Sequence, residues 1–198
     1  MGLVVFLVVV VVLAFLIIGI YNRLVKSRNI FRNAFAQIDV QLRRRHDLIP
    51  NLVETAKAYL AHERETLEAV IRARAAAVSA TDKAAGSPGG ADAMQGLAQA
   101  EGMLSGALGR LLVVMERYPE LKADQSTIRV MEELTSTENR IAFSRQAFND
   151  AVMAFNILRE TFPNNLVAGA FRFDEARLLD SIDAPEQREA PKVDFSRK

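Results

Sequence analysis

Residues 3–20 read LVVFLVVVVVLAFLIIGI, a run without one polar or charged side chain. As an α-helix this run is about 27 Å long, close to the ~30 Å hydrocarbon core of a bilayer. A cleaved signal peptide needs a basic segment before such a run and a small-x-small site after it. Here Met1-Gly2 is uncharged and the run ends Ile20-Tyr21-Asn22, so the expectation is a retained transmembrane anchor. Arg23, Lys26, Arg28 and Arg32 follow the run and no basic residue precedes it. The positive-inside rule then puts the N-terminus outside and the remainder in the cytoplasm. Tyr21 falls where an interfacial aromatic belongs.

This uneven distribution explains a chain that is 50% hydrophobic although 25% of its residues are charged. Charge is uneven too. Residues 21–46 carry seven basic and one acidic side chain, and a net charge of +1 for the whole chain leaves −5 for residues 47–198. A basic stem therefore joins an acidic body, and nucleic acid is not an expected partner. The chain has no cysteine, which excludes disulfides, thiolate metal sites and cysteine nucleophiles.

Past the anchor the pattern is helical throughout, with no apolar alternation that argues for a sheet. Leu24, Phe31, Phe35, Ile38 and Leu42 recur at spacings of three, four and seven, predicting a first soluble helix over residues 21–46 that continues the anchor. Asp47 reads as the N-cap of a second helix with Pro50 in its first turn, running to about Ala80. Thr81-Asp82 and Gly86-Ser87-Pro88-Gly89-Gly90 read as a loop. The third helix is expected over 92–117, with Leu97, Leu104, Leu108, Leu111 and Met115 on one stripe. The fourth, over 125–161, has a coiled-coil-like period near 3.5 through Met131, Leu134, Ile141, Phe148, Val152, Phe155 and Phe162. The expected architecture is all-α: a single-pass transmembrane helix (residues 1–20) continuing into an antiparallel up-down-up-down bundle of four long helices (21–173). Residues 174–198, rich in charge and containing Pro185 and Pro191, read as a disordered tail.

Catalytic and metal-binding patterns are missing. Thr66, not His, stands four residues after His62, and Arg43 and Tyr59 stand three before His46 and His62, so neither a metalloprotease motif nor a di-iron Glu-x-x-His pair is present. Both histidines read as structural or surface residues. Charges that fall on the apolar stripes are more informative: Arg28, Glu63, Glu101, Glu138 and Arg145. Unpaired burial would cost several kcal/mol per ion. We therefore expect an interhelical network of Arg28 and Arg145 with Glu63 and Glu138 that fixes helix register, the alternative being that each snorkels at a seam edge. Arg43-Arg44-Arg45 reads as a solvated basic helix end. In an antiparallel bundle the fourth helix returns to the bilayer, which brings Phe162, Leu166, Phe171 and Phe173 near Tyr21 at the membrane interface. The same residues could equally cap the bundle core.

Several strings carry a family resemblance: YNRLVKSRNIFRN from Tyr21, AFAQIDVQL from Ala34, HDLIPNLVET from His46, ERYPELKA from Glu116, TENRIA from Thr137 and the Phe162-Pro163-Asn164-Asn165 corner. In this collinear series the chain resembles the LemA family up to about Phe173, with Phe148-Asn149 and Phe155-Asn156 where Tyr-Asn pairs are common. The resemblance implies an N-terminally anchored bacterial inner-membrane protein with a helical cytoplasmic bundle and no catalytic residues. The expected function is a non-enzymatic, membrane-anchored scaffold or adaptor without metal or cofactor. Its expected partners are the lipid bilayer, further copies of itself through the bundle surface, and a protein that the sequence does not name. The alternative is an accessory or regulatory subunit of a membrane enzyme or protease system.

Overall fold

The structure, a computed structural model, describes residues 1–60 and 62–179. Among these there is helix and no strand. The elements are α1 (Gly2–Lys57), α2 (Arg64–Gly86), α3 (Ala91–Met115), the single turn α4 (Pro119–Ala123), α5 (Gln125–Glu160) and α6 (Asn164–Ala170). The four long helices run up, down, up and down relative to the anchor. α1 packs along α5 and α2 along α3.

α1 has 56 residues and is about 84 Å long at 1.5 Å per residue. Residues 2–19 are exposed on every side. From Ile20 onward burial follows the helical period, and the predicted stripe Leu24, Phe31, Phe35, Ile38 and Leu42 is entirely buried. The stripe expected on α3 is buried as well; that on α5 is buried from Ile141 to Phe155, only half-buried at Met131 and Leu134, and fails at Phe162. That residue lies beyond the last turn of α5 and is 75% exposed.

The predicted start of a second helix at Asp47 does not occur. α1 continues through Pro50 to Lys57, and the next helix begins at Arg64. Pro50 has no N–H to give the His46 carbonyl four residues earlier, a loss that ordinarily ends or kinks a helix. Here the Arg74 guanidinium donates to that carbonyl from α2 at 2.6 Å. The donor that the chain lacks locally comes from 28 residues away, so the helix runs on. Replacing Arg74 by methionine should orphan the carbonyl and cost about 1–3 kcal/mol. Pro50→Ala, which restores the local N–H, should recover most of that in the double variant, as measured by chemical denaturation of the two single and one double substitution. Additive losses would refute the coupling. α2 likewise runs past the expected loop start at Thr81, to Gly86.

Two apolar cores stack along the bundle. The one nearer the apolar segment, the proximal core, joins Leu24, Phe31, Phe35, Ile38 and Leu42 of α1 to Met94 and Leu97 of α3 and to Phe148, Val152 and Phe155 of α5. The distal one joins Ile49, Leu52, Val53 and Leu60 to Leu67 and Val70 of α2 and to Leu104, Leu108 and Leu111 of α3.

After α6 the chain turns back and lies along the bundle. Ala168 accepts from the Phe173 N–H (2.9 Å) and Gly169 from the Arg172 N–H (3.4 Å), with Arg172 at φ 52°, the left-handed residue of a Schellman cap. Residues 173–179 then form an extended strap. Asn156 brackets Ala176, donating to its carbonyl (2.8 Å) and accepting from its N–H (3.0 Å). Asn149, one heptad earlier, does the same for Leu179 (3.2 and 2.9 Å). Gly89 closes the other side: its carbonyl accepts from the Arg177 N–H at 2.8 Å. Its φ of 82° and the approach of Phe31 and Ala176 leave no room for a β-carbon. The tail expected from residue 174 therefore starts too early. Phe173, Ala176 and Leu179 are buried, and Asn149 and Asn156 satisfy the strap's backbone, which no sequence pattern in the strap itself announces. The rest of that tail, residues 180–198, lies outside the described residues.

Candidate functional site

Between the two apolar cores sits a charged layer. Its positions on α1 (Arg45, His46), α3 (Glu101, Ser105) and α5 (Glu138) fall where each helix passes from one core to the other. Arg45 Nη1 lies 3.1 Å from Glu101 Oε2 and 3.4 Å from Glu138 Oε2, and its Nη2 donates to Ser105 Oγ at 2.8 Å. His46 Nε2 is 2.7 Å from Glu101 Oε1. A carboxylate only accepts, so Nε2 carries the proton of that bond. Arg45 is 6% and His46 2% exposed. Both oxygens of the Glu101 carboxylate, its side chain 14% exposed, are thus held by two neighbouring residues of α1. This clamps α3 to α1 at one register. α5 joins only at the rim, since the Glu138 side chain is 57% exposed.

The expected network of Arg28, Glu63, Glu138 and Arg145 does not assemble. Its members lie at different heights of the bundle. Glu63 pairs with Arg117 at 3.3 Å in the distal turn. Arg28 stacks over the Phe173 ring, 5.0 Å from its centroid, in the part nearer the apolar segment, with its Nε buried and without a hydrogen-bond partner among the described residues. Arg145 makes no ion pair within 4.0 Å among the described residues. Only Glu138 belongs to the layer. Periodicity marked Glu101 as a seam charge, but its partners depend on how α1 and α3 are staggered, which intrahelical spacing does not encode. Arg43-Arg44-Arg45 is not a helix end either, because α1 continues for three more turns. Arg43 pairs with Asp39 (3.1 Å) and Asp82 (2.9 Å), which raise its pKa above the usual arginine value, Asp39 contributing most. Arg44 faces Glu133 at 3.6 Å, and Arg45 enters the layer. Of the two histidines, His46 is structural and His62 is on the surface.

Among the described residues no three His, Cys, Asp or Glu side chains converge as a metal site would require. An open groove of about 790 Å³ separates the distal part of α3 from α5. Its walls include Leu112, Met115, Ile128 and Met131, and it holds no paired nucleophile and base.

Of the residues expected at the membrane interface, Phe171 and Phe173 meet Tyr21. Its ring meets Phe171 edge-on at 5.0 Å and Phe173 at 5.6 Å. The expected residues divide by burial. Phe173 is 4% exposed and caps the proximal core, whereas Phe162 (75%), Leu166 (64%) and Phe171 (53%) face outward.

Among the described residues one helix, α1, is long and apolar enough to cross a membrane. Magnetosome protein MamQ 2 of Paramagnetospirillum magneticum is 27% identical over 182 residues, covering 83% of this chain and 66% of that protein. Magnetosome protein MamQ of Magnetospirillum gryphiswaldense is 25% identical, covering 75% and 60%. The chain thus spans slightly under two thirds of the length of these relatives. Protein LemA of Metamycoplasma hominis is 24% identical, covering 82% of this chain and 70% of that protein. None of these names designates an enzymatic activity. The LemA family model matches residues 34–195, from the middle of α1 through the bundle and strap, and the chain belongs to the LemA family.

Proposed function

We propose that the protein is a non-enzymatic scaffold that holds a helical bundle at a set distance and angle from the cytoplasmic face of a membrane. The observation that carries this reading is the continuity of α1 from the exposed apolar segment to Lys57 without a hinge. A flexible tether would leave the bundle free to tumble, whereas an unbroken helix transmits the orientation of the span to every surface above it. The basic stem supports the cytoplasmic assignment through the positive-inside rule. Such a scaffold acts by presenting surfaces to further copies or to a protein partner.

Two measurements test this. Protease added outside intact cells should leave the bundle uncut; digestion from the outside would overturn the orientation. Crosslinking in native membranes should recover mainly crosslinks between copies of this chain. Recovery of a stoichiometric membrane enzyme or protease would instead establish an accessory subunit.

A further inference from the structure

α6 has two apolar faces and only one of them is used by the bundle. Val167 and Ala168 are buried in the proximal core, while Phe162 and Leu166, four residues apart, point away from it. The Schellman turn at Arg172 then sends two neighbouring aromatics to opposite sides, Phe173 inward and Phe171 outward. Phe171 stands level with the end of the apolar run, because it packs on Tyr21, the first residue beyond that run in α1. Arg23, Lys26 and Arg172, all exposed, lie on the same end of the molecule.

We propose that the outward surface formed by Leu166 of α6 and the flanking Phe162 and Phe171 is a second membrane contact that seats in the headgroup–acyl boundary of the leaflet from which α1 emerges. Continuity selects lipid as the occupant. Any surface level with Tyr21 on a helix that crosses the bilayer is already at the interface, where aromatic and aliphatic side chains gain by partial immersion and basic ones by meeting anionic headgroups. One unbroken helix fixes the bundle relative to the span but lets both turn together about the span axis. A second contact beside it removes that freedom, so α6 sets which face of the bundle points away from the bilayer. The inference rests on α1 spanning the membrane.

The chain has no cysteine, so single fluorophores can be placed through Leu166→Cys, Thr135→Cys at the distal part of α5, and Ala14→Cys within the span. Each full-length variant is reconstituted in vesicles of phosphatidylglycerol and phosphatidylcholine that carry a headgroup-region nitroxide lipid or a deep acyl-chain one. The Leu166 label should be quenched by the shallow nitroxide and shielded from aqueous iodide, and the Thr135 label should show the reverse. Adding Phe162→Asp and Phe171→Asp should remove most of the shallow quenching at position 166. Both lie outside the core, so folding is expected to survive, which circular dichroism checks. Iodide access at 166 equal to that at 135, or Leu166→Cys disulfides between copies in place of lipid quenching, would overturn the proposal. Deep quenching at position 14 in those same samples would show that the failure is of the α6 contact alone; its absence would show that the span itself is misassigned.

Discussion

Glu101→Leu is expected to destabilise the protein by about 3–5 kcal/mol, the cost of removing one partner from a buried ion cluster. The change leaves the Arg45 guanidinium 6% exposed with only Ser105 and the rim carboxylate of Glu138 beside it, and deprives the Nε2 of His46 of its acceptor. Glu138→Gln touches the same arginine but should cost no more than about 1 kcal/mol, because an ion pair at a solvated carboxylate is weak. Chemical denaturation of the full chain in detergent micelles measures both. Arg45→Met added to Glu101→Leu should recover part of the loss, since an apolar pair does not carry the desolvation cost of an unpaired charge. If Glu101→Leu alone unfolded at the parent's denaturant midpoint, the layer would not clamp α3 to α1.

Phe148→Ala should cost a similar amount, about 3–5 kcal/mol, for a different reason. Phe148 is fully buried, its ring edge-on to Phe31 at 6.3 Å and to Phe35 at 5.6 Å. Truncation would open a cavity where α1 and α5 pack most extensively. It would also disturb the backbone at Asn149, whose amide holds the strap at Leu179. Phe143→Ala on the same helix is the control. Its ring is 75% exposed, so its removal should change stability by no more than about 0.5 kcal/mol. Equal losses for the two would mean that α5 is rotated from the face described above.

The two Phe-Asn pairs show how far local pattern reaches. The positions of Phe148 and Phe155 on an apolar stripe are plain from spacing, because helical geometry alone puts residues seven apart on one face. What the adjoining asparagines do is not, since their partners are backbone groups of a segment that reads as solvated tail. The family resemblance was carried by collinear strings, and it pointed to a helical bundle behind a membrane anchor without identifying a site. The charged layer was half legible. Glu101 stands out as a carboxylate on a seam, whereas Arg45 reads as part of a solvated helix end, on a helix that continues, and His46 as structural or surface with no partner indicated.

The apolar run, the all-helical class, the buried stripes of α1, α3 and α5 and the approximate limits of α3 and α5 were determined by the sequence alone, because each depends on neighbours within a few turns. The tertiary structure alone decided the length of α1, the members of the charged layer, the course of the strap and the division of the interface residues into buried and exposed. In each of these a group from a distant part of the chain replaces or completes a local interaction. Arg74 supplies the bond that Pro50 cannot, Glu101 the charge that Arg45 requires, and Asn149 and Asn156 the hydrogen bonds of a strap with no neighbouring strand.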